Sequence, residues 1–203
     1  MVITYPLKTG LYVNLTNRCP CACEFCLRKN SPGVFGTDSL WLEREPTVEE
    51  MIESIESRNL DGFEELVFCG YGEPTERLDD LLLVAKHVKS IKPDMSVRIN
   101  TNGLSDLIHG GPTAHRLNGL VDVVSISLNT PDAEEYLKIC RPKFGICSWQ
   151  AMLDFAADCK KHVPSVVMTI VGEPVTTLDV QEKCRAITDS LGVSLRIRPY
   201  ESI

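Results

Sequence analysis

The sequence predicts an α/β fold: a parallel sheet wrapped by helices and left open as a six-unit partial barrel. Short β-branched runs alternate with stretches of helical periodicity from one end of the 203 residues to the other. There are six such runs, whereas a closed eight-strand barrel usually takes about 250 residues. A chain of this length buries one good core, so a single domain over 1–203 is expected.

The strand runs are LYVNL (11–15), ELVFC (65–69), SVRIN (96–100), VDVVSISL (121–128), SVVMTIV (165–171) and VSLRIRPY (193–200). After the first run, Thr47-x-x-Glu50 is a capping-box pattern, and Met51, Ile52 and Ile55 then share one helical face. Leu78, Leu81, Leu82 and Ala85 repeat that spacing. Thr130-Pro131 reads as an N-cap followed by proline at the first helical position. Met152, Phe155, Ala156 and Cys159 form a further stripe, and Val180, Cys184, Ile187 and Leu191 the last. The least regular stretch, 28–46, contains Phe35 and Trp41; it reads either as a loop over the mouth of the barrel or as a connector.

Composition narrows the class. Apolar residues are 43% and charged residues 24%, as in ordinary globular proteins. A net charge of −7, from 21 basic and 28 acidic side chains, argues against broad binding to nucleic acid. No apolar run approaches the roughly 20 residues that cross a bilayer. The N-terminus lacks the pattern of a signal peptide, so the many cysteines imply a reducing cytosol and a cytoplasmic protein.

The cysteines carry the chemistry. Cys19-x-x-x-Cys23-x-x-Cys26 directly follows the first strand run. Three thiolates are one fewer than a four-iron cluster needs, which leaves one iron open to a ligand. Zinc is the alternative, but it wants four ligands, usually in two close pairs. Cys21 is an awkward fourth ligand at two-residue spacing, and no second pair follows. A disulfide framework fits poorly, because nine cysteines is an odd number and the others are scattered.

Unusual residues gather where the predicted strands end. After strand two comes Gly70-Tyr71-Gly72-Glu73-Pro74, after strand three Asn100-Thr101-Asn102-Gly103, and after strand four Ser127-Leu128-Asn129. Strand five ends in Val171-Gly172-Glu173-Pro174, and strand six carries Arg196, Arg198 and Tyr200. Parallel sheets and barrels bind their ligands at that edge.

With these motifs the chain resembles the radical S-adenosylmethionine (SAM) enzymes over nearly its whole length. Phe25, just before the last cysteine of the loop, fits the same signature. The resemblance implies one 4Fe-4S cluster held by Cys19, Cys23 and Cys26, with SAM on the open iron. Gly70, Gly72 and Glu73 lie in a segment similar to the family's glycine-rich motif, whose backbone holds the SAM amino group. Asn100 and Asn102 resemble contacts to the ribose or methionyl carboxylate, and Ser127 and Asn129 a polar pair on strand four. Val171 resembles a backbone contact to adenine. Arg141 resembles a base that pairs with the SAM carboxylate; its plain alternative is a surface arginine. "NLTNRCP", "SLWLEREPT" and an end soon after strand six resemble the TatD-associated radical SAM proteins.

The implied reaction is reductive cleavage of SAM to methionine and a 5′-deoxyadenosyl radical, which takes hydrogen from a substrate. The resemblance further implies an electron donor such as flavodoxin or ferredoxin and a functional link to a TatD-like hydrolase. A barrel mouth without a capping domain leaves room for a peptide, protein or RNA substrate. Two alternatives stay open. One is a binding or scaffold protein with a structural iron–sulfur or zinc centre. The other is a glycyl-radical activase, although Leu27 stands where activases usually carry an aromatic or histidine. Cys159 and Cys184 read as core residues, and a second cluster is not expected from Cys140 and Cys147.

Overall fold

The computed structural model describes residues 1–30 and 39–200. Seven strands lie in one sheet in sequence order. They are β1 (Thr4–Leu7), β2 (Gly10–Val13), β3 (Glu65–Phe68), β4 (Ser96–Thr101), β5 (Val123–Ser127), β6 (Ser165–Val171) and β7 (Ser194–Arg198). From β2 to β7 every neighbouring pair is parallel. Among the described residues no pairing joins β1 to β7, so the wall is an open barrel.

All six expected strands are present, and β1 is an addition that pairs antiparallel with β2. Its sequence, TYPL, contains Pro6, which cannot donate to a ladder and is tolerated at a sheet edge. Among the described residues seven α-helices accompany the strands: α1 (Leu27–Asn30), α2 (Val48–Glu56), α3 (Leu78–Ile91), α4 (Ser105–His109), α5 (Ala133–Cys140), α6 (Cys147–Cys159) and α7 (Leu178–Leu191). The capping box of α2 forms as expected: Thr47 accepts from the Glu50 N–H, and the Glu50 carboxylate accepts from the Thr47 N–H. At α5 the expectation is corrected. Asp132, not Thr130, is the N-cap, accepting the Glu135 N–H at 2.8 Å. The Thr130 hydroxyl is engaged one step earlier, accepting from the Asp132 N–H.

Alternation along the strands separates two faces. Leu11, Val13, Leu66, Phe68, Ile99, Ile126 and Met168 share one core with Met51, Ile55, Leu81, Met152 and Phe155 of the helices. Burying each such side chain contributes about 1.5–3 kcal/mol. The other face carries Tyr12, Arg98, Asn100, Ser125, Thr169, Arg196 and Arg198 in register. It is polar.

The end of the 28–46 stretch leans on the loop after β2. The Asn14 amide donates to the Leu40 carbonyl at 2.7 Å, and Asn17 both donates to and accepts from Leu42. Leu40 is buried against Tyr5 and Tyr71, while Trp41 is exposed. Phe35 lies outside the described residues.

Candidate active site

The cysteine loop leaves the C-terminal end of β2 and is clamped by the end of α5. Ala22 N–H reaches the Cys140 carbonyl at 3.1 Å, Glu24 N–H the Ile139 carbonyl at 2.9 Å, and Lys143 N–H the Pro20 carbonyl at 2.8 Å. Arg28 adds a bond to the Cys21 carbonyl at 3.1 Å. Cys19, Cys23 and Cys26 are half-buried and Cys21 is buried, and none of the nine cysteines is in a disulfide.

Four of these thiols form one hydrogen-bonded series. Cys21 lies between Cys19 and Cys23, and Cys140 reaches Cys23 from α5. The bond from Cys21 holds the Cys19 thiol below its ordinary range. Bonds from Cys140 and then Cys21 bring Cys23 down to about 3. Cys21 and Cys140 are pushed up, first by those same bonds and then by burial. Within the series the shifts run in opposite directions, down at Cys19 and Cys23 and up at Cys21 and Cys140. Cys26 lies at the end of the loop, where its N–H donates to the Cys23 carbonyl at 3.4 Å.

Among the described residues no three His, Cys, Asp or Glu side chains converge as they would around a single metal ion. A four-iron cluster with one open iron would take three thiolates, and the loop after β2 carries Cys19, Cys23 and Cys26.

The glycine motif braces the cysteine loop. A Cβ on Gly72 would lie 2.2 Å from the Thr16 carbonyl oxygen and 2.7 Å from that of Arg18. A Cβ on Gly70 would fall 2.0 Å from Asn14 Oδ1. Glu73 is buried, and its carboxylate accepts from Thr75 N–H, Thr75 Oγ1, Thr101 Oγ1 and Asn102 N–H. Burial raises its pKa and these bonds oppose the rise.

From β4, the Asn102 amide points at the cysteines, 3.9 Å from Cys19 Sγ and 3.8 Å from Cys21 Sγ. Asn100 lies beside Cys69, and among the described residues its Oδ1 is buried without a partner, as is Asn14 Oδ1. Asn129, with φ 65°, donates to Cys140 Sγ at 3.4 Å. Arg141, also left-handed, pairs with Glu24 of the cysteine loop. Ser127 ends β5 in register with Thr169, and the Val171 carbonyl ends β6 accepting from Thr176 Oγ1. Phe25 is exposed. The structure therefore gathers Cys19, Cys23, Glu73, Asn102, Asn129 and Arg141 around one loop. It leaves Ser127 and Val171 farther along the same rim. Cys140 and Tyr136, whose hydroxyl bonds Cys21, were not read as neighbours of the loop. No local pattern marks a helix end that folds back onto a segment over a hundred residues earlier.

A family model described as the radical SAM superfamily matches residues 13–186. The chain belongs to the radical SAM superfamily. Membership implies a 4Fe-4S cluster and SAM. A GTP 3′,8-cyclase of Lactiplantibacillus plantarum is 30% identical over 159 residues, covering 78% of this chain and 44% of that protein. The chain thus spans less than half the length of that curated relative. A radical SAM methyltransferase from Sphaerobacter thermophilus superposes with a TM-score of 0.65 at 15% identity, over 98% of this chain and 68% of that one. Methylornithine synthase superposes at 0.61 and 14% identity, over 95% of this chain and 53% of that one. At such identities the likeness is of fold: an open radical SAM barrel.

Proposed function

We propose that this chain is a radical SAM enzyme whose cluster is held by Cys19, Cys23 and Cys26. The observation that carries the reading is the geometry of the cysteine loop after β2: the end of α5 clamps it through Ala22 and Glu24, and the Asn102 amide of β4 faces its thiols. When bound, cluster and SAM together supply one-electron cleavage of the sulfonium carbon–sulfur bond and a 5′-deoxyadenosyl radical that takes hydrogen from substrate. The protein's part is to bind, orient and shield. The main chain of Gly70–Glu73, with Asn100 and Asn102, faces the methionyl end; Ser127, Asn129 and Val171 line the side toward adenine. Arg141 exchanges its Glu24 partner for the SAM carboxylate, which a guanidinium can hold bidentately. Leu40 and Trp41 border the mouth on the β2 side.

An electron comes from a reductant such as flavodoxin or ferredoxin, and the setting is the cytoplasm. The likeness to a GTP 3′,8-cyclase does not carry GTP over to this chain. A peptide, protein or RNA substrate, and a link to a TatD-like hydrolase, belong to the same proposal. Electron paramagnetic resonance of the reconstituted, reduced protein tests it. Added SAM should change the cluster spectrum; an unchanged spectrum at saturating SAM sets the reading aside.

A further inference from the structure

The seven strands carry three arginines and one acid: Arg98, Arg196 and Arg198 against Glu65, with no lysine or aspartate. All four fall on the same, helix-free face. Glu65 and Val67 lie on the Arg98 side of β3, and Arg196 and Arg198 pair with Thr169 and Val171, which continue that face across β5 and β6. Contacts agree with the register. Arg98 Nη2 lies 2.8 Å from Glu65 Oε1 and 3.1 Å from the Tyr12 hydroxyl, so it bridges toward β2 over the inner face. At the upper end of that face, the Cys69 thiol feels the charges of both Arg98 and Arg198, from β4 and from β7. Among the described strand residues, three arginines thus stand against one glutamate on this face, in a chain whose net charge is −7.

Arg196 and Arg198 are exposed on an edge strand, where any polar residue would keep the sheet soluble. Beside them Ser125, Thr169 and Asn100 offer neutral donors on the same surface. Guanidinium groups suit planar, bidentate recognition of phosphate and carboxylate.

We propose that the inner face of the sheet binds an anionic group of the substrate, a phosphate or a carboxylate, through Arg198 and Arg196 with Arg98 behind them. This rests on the radical SAM reading only in taking the inner face as the substrate side. The charge places the anchored group toward β7, across the barrel from the cysteine loop. The rest of the substrate then spans the face toward the site of radical formation.

The test titrates pyrophosphate, and separately citrate, calorimetrically into reconstituted protein already saturated with SAM, so that the SAM carboxylate is not the anion observed. One of the two should bind saturably: pyrophosphate if the anchor is a phosphate, citrate if it is a carboxylate. Arg198→Gln and Arg196→Gln should each weaken that binding by about tenfold, as expected for loss of a charged hydrogen bond. Arg198→Lys should restore part of it. Arg116→Gln, at the ion pair with Asp79 on the helix layer, should leave it unchanged. Exposed β7 positions tolerate these changes without unfolding, which circular dichroism checks. Saturable binding of neither anion, full affinity in both β7 variants, or an equal loss in Arg116→Gln overturns the inference. SAM cleavage by the wild-type protein separates the two readings. Cleavage without anion binding defeats only this inference, and arginine-dependent binding without cleavage defeats only the proposed reaction.

Discussion

The Glu73 carboxylate accepts the Asn102 main-chain N–H at 2.7 Å, so a buried acid after β3 fixes how the end of β4 meets the cysteines. Three further donors surround the same carboxylate. In Glu73→Gln the side-chain NH2 must face a donor, leaving at least one buried polar group unsatisfied. The variant should lose about 1–3 kcal/mol. For a chain of this size each kcal/mol lowers Tm by about 2–4 °C. Thermal denaturation of the cluster-free protein measures this, and an unchanged Tm would show that the network is dispensable.

The two glycines of the motif should respond differently to alanine. At Gly72 the added Cβ meets main-chain carbonyls of Thr16 and Arg18, which cannot move without shifting the cysteine loop. At Gly70 it meets the Asn14 side chain. Asn14→Ala should therefore rescue much of the stability lost in Gly70→Ala and none of that lost in Gly72→Ala. Equal rescue of both would place the Gly72 clash elsewhere. The same contact means that lost SAM binding in a Gly72 variant would also report a displaced cluster loop.

Among the cysteines, Cys19→Ala, Cys23→Ala and Cys26→Ala should each abolish a cluster of about four irons per chain. Cys21→Ala and Cys140→Ala should retain most of the iron, because the proposed cluster takes its three thiolates from Cys19, Cys23 and Cys26. Iron and sulfide analysis after anaerobic reconstitution decides. A requirement for Cys21 equal to that for Cys23 would replace the open-iron site with a four-thiolate centre.

The capping box gives a pH dependence of known sign. The Arg44 side chain, then the Thr47 N–H, holds Glu50 down to about 2 from an ordinary 4.5. A depressed folded-state value means stability that is present above about 4.5 and lost as pH falls toward 2. Urea unfolding between pH 5.5 and about 3 should show a smaller acid loss in Glu50→Gln than in the wild type. Parallel curves would assign the acid loss to other carboxylates.

Much of this architecture was legible because its signals are local. Alternation gave β2 to β7, apolar stripes gave α3, α6 and α7, and the cysteine spacing gave the loop. β1 was not legible, since four residues containing Pro6 make no strand signal until β2 supplies a partner. The α5 cap went to Thr130 because Pro131 suggested a helix start, while the chain turned two residues later at Asp132. At the site, strand-end residues were found by position, but their partners were not. Arg141 meets Glu24 across 117 residues, and Cys140 meets Cys23 through the same fold-back of α5. The charged inner face needed the register between strands, which no single strand contains.

The most direct test of the central claim is the fate of SAM. Anaerobically reconstituted wild-type protein, reduced with dithionite, should form 5′-deoxyadenosine and methionine in equal amounts, measured by liquid chromatography and mass spectrometry. The Cys19→Ala, Cys23→Ala and Cys26→Ala proteins should form neither. A wild-type protein that holds a reduced four-iron cluster and binds SAM, yet yields no 5′-deoxyadenosine, would contradict the account.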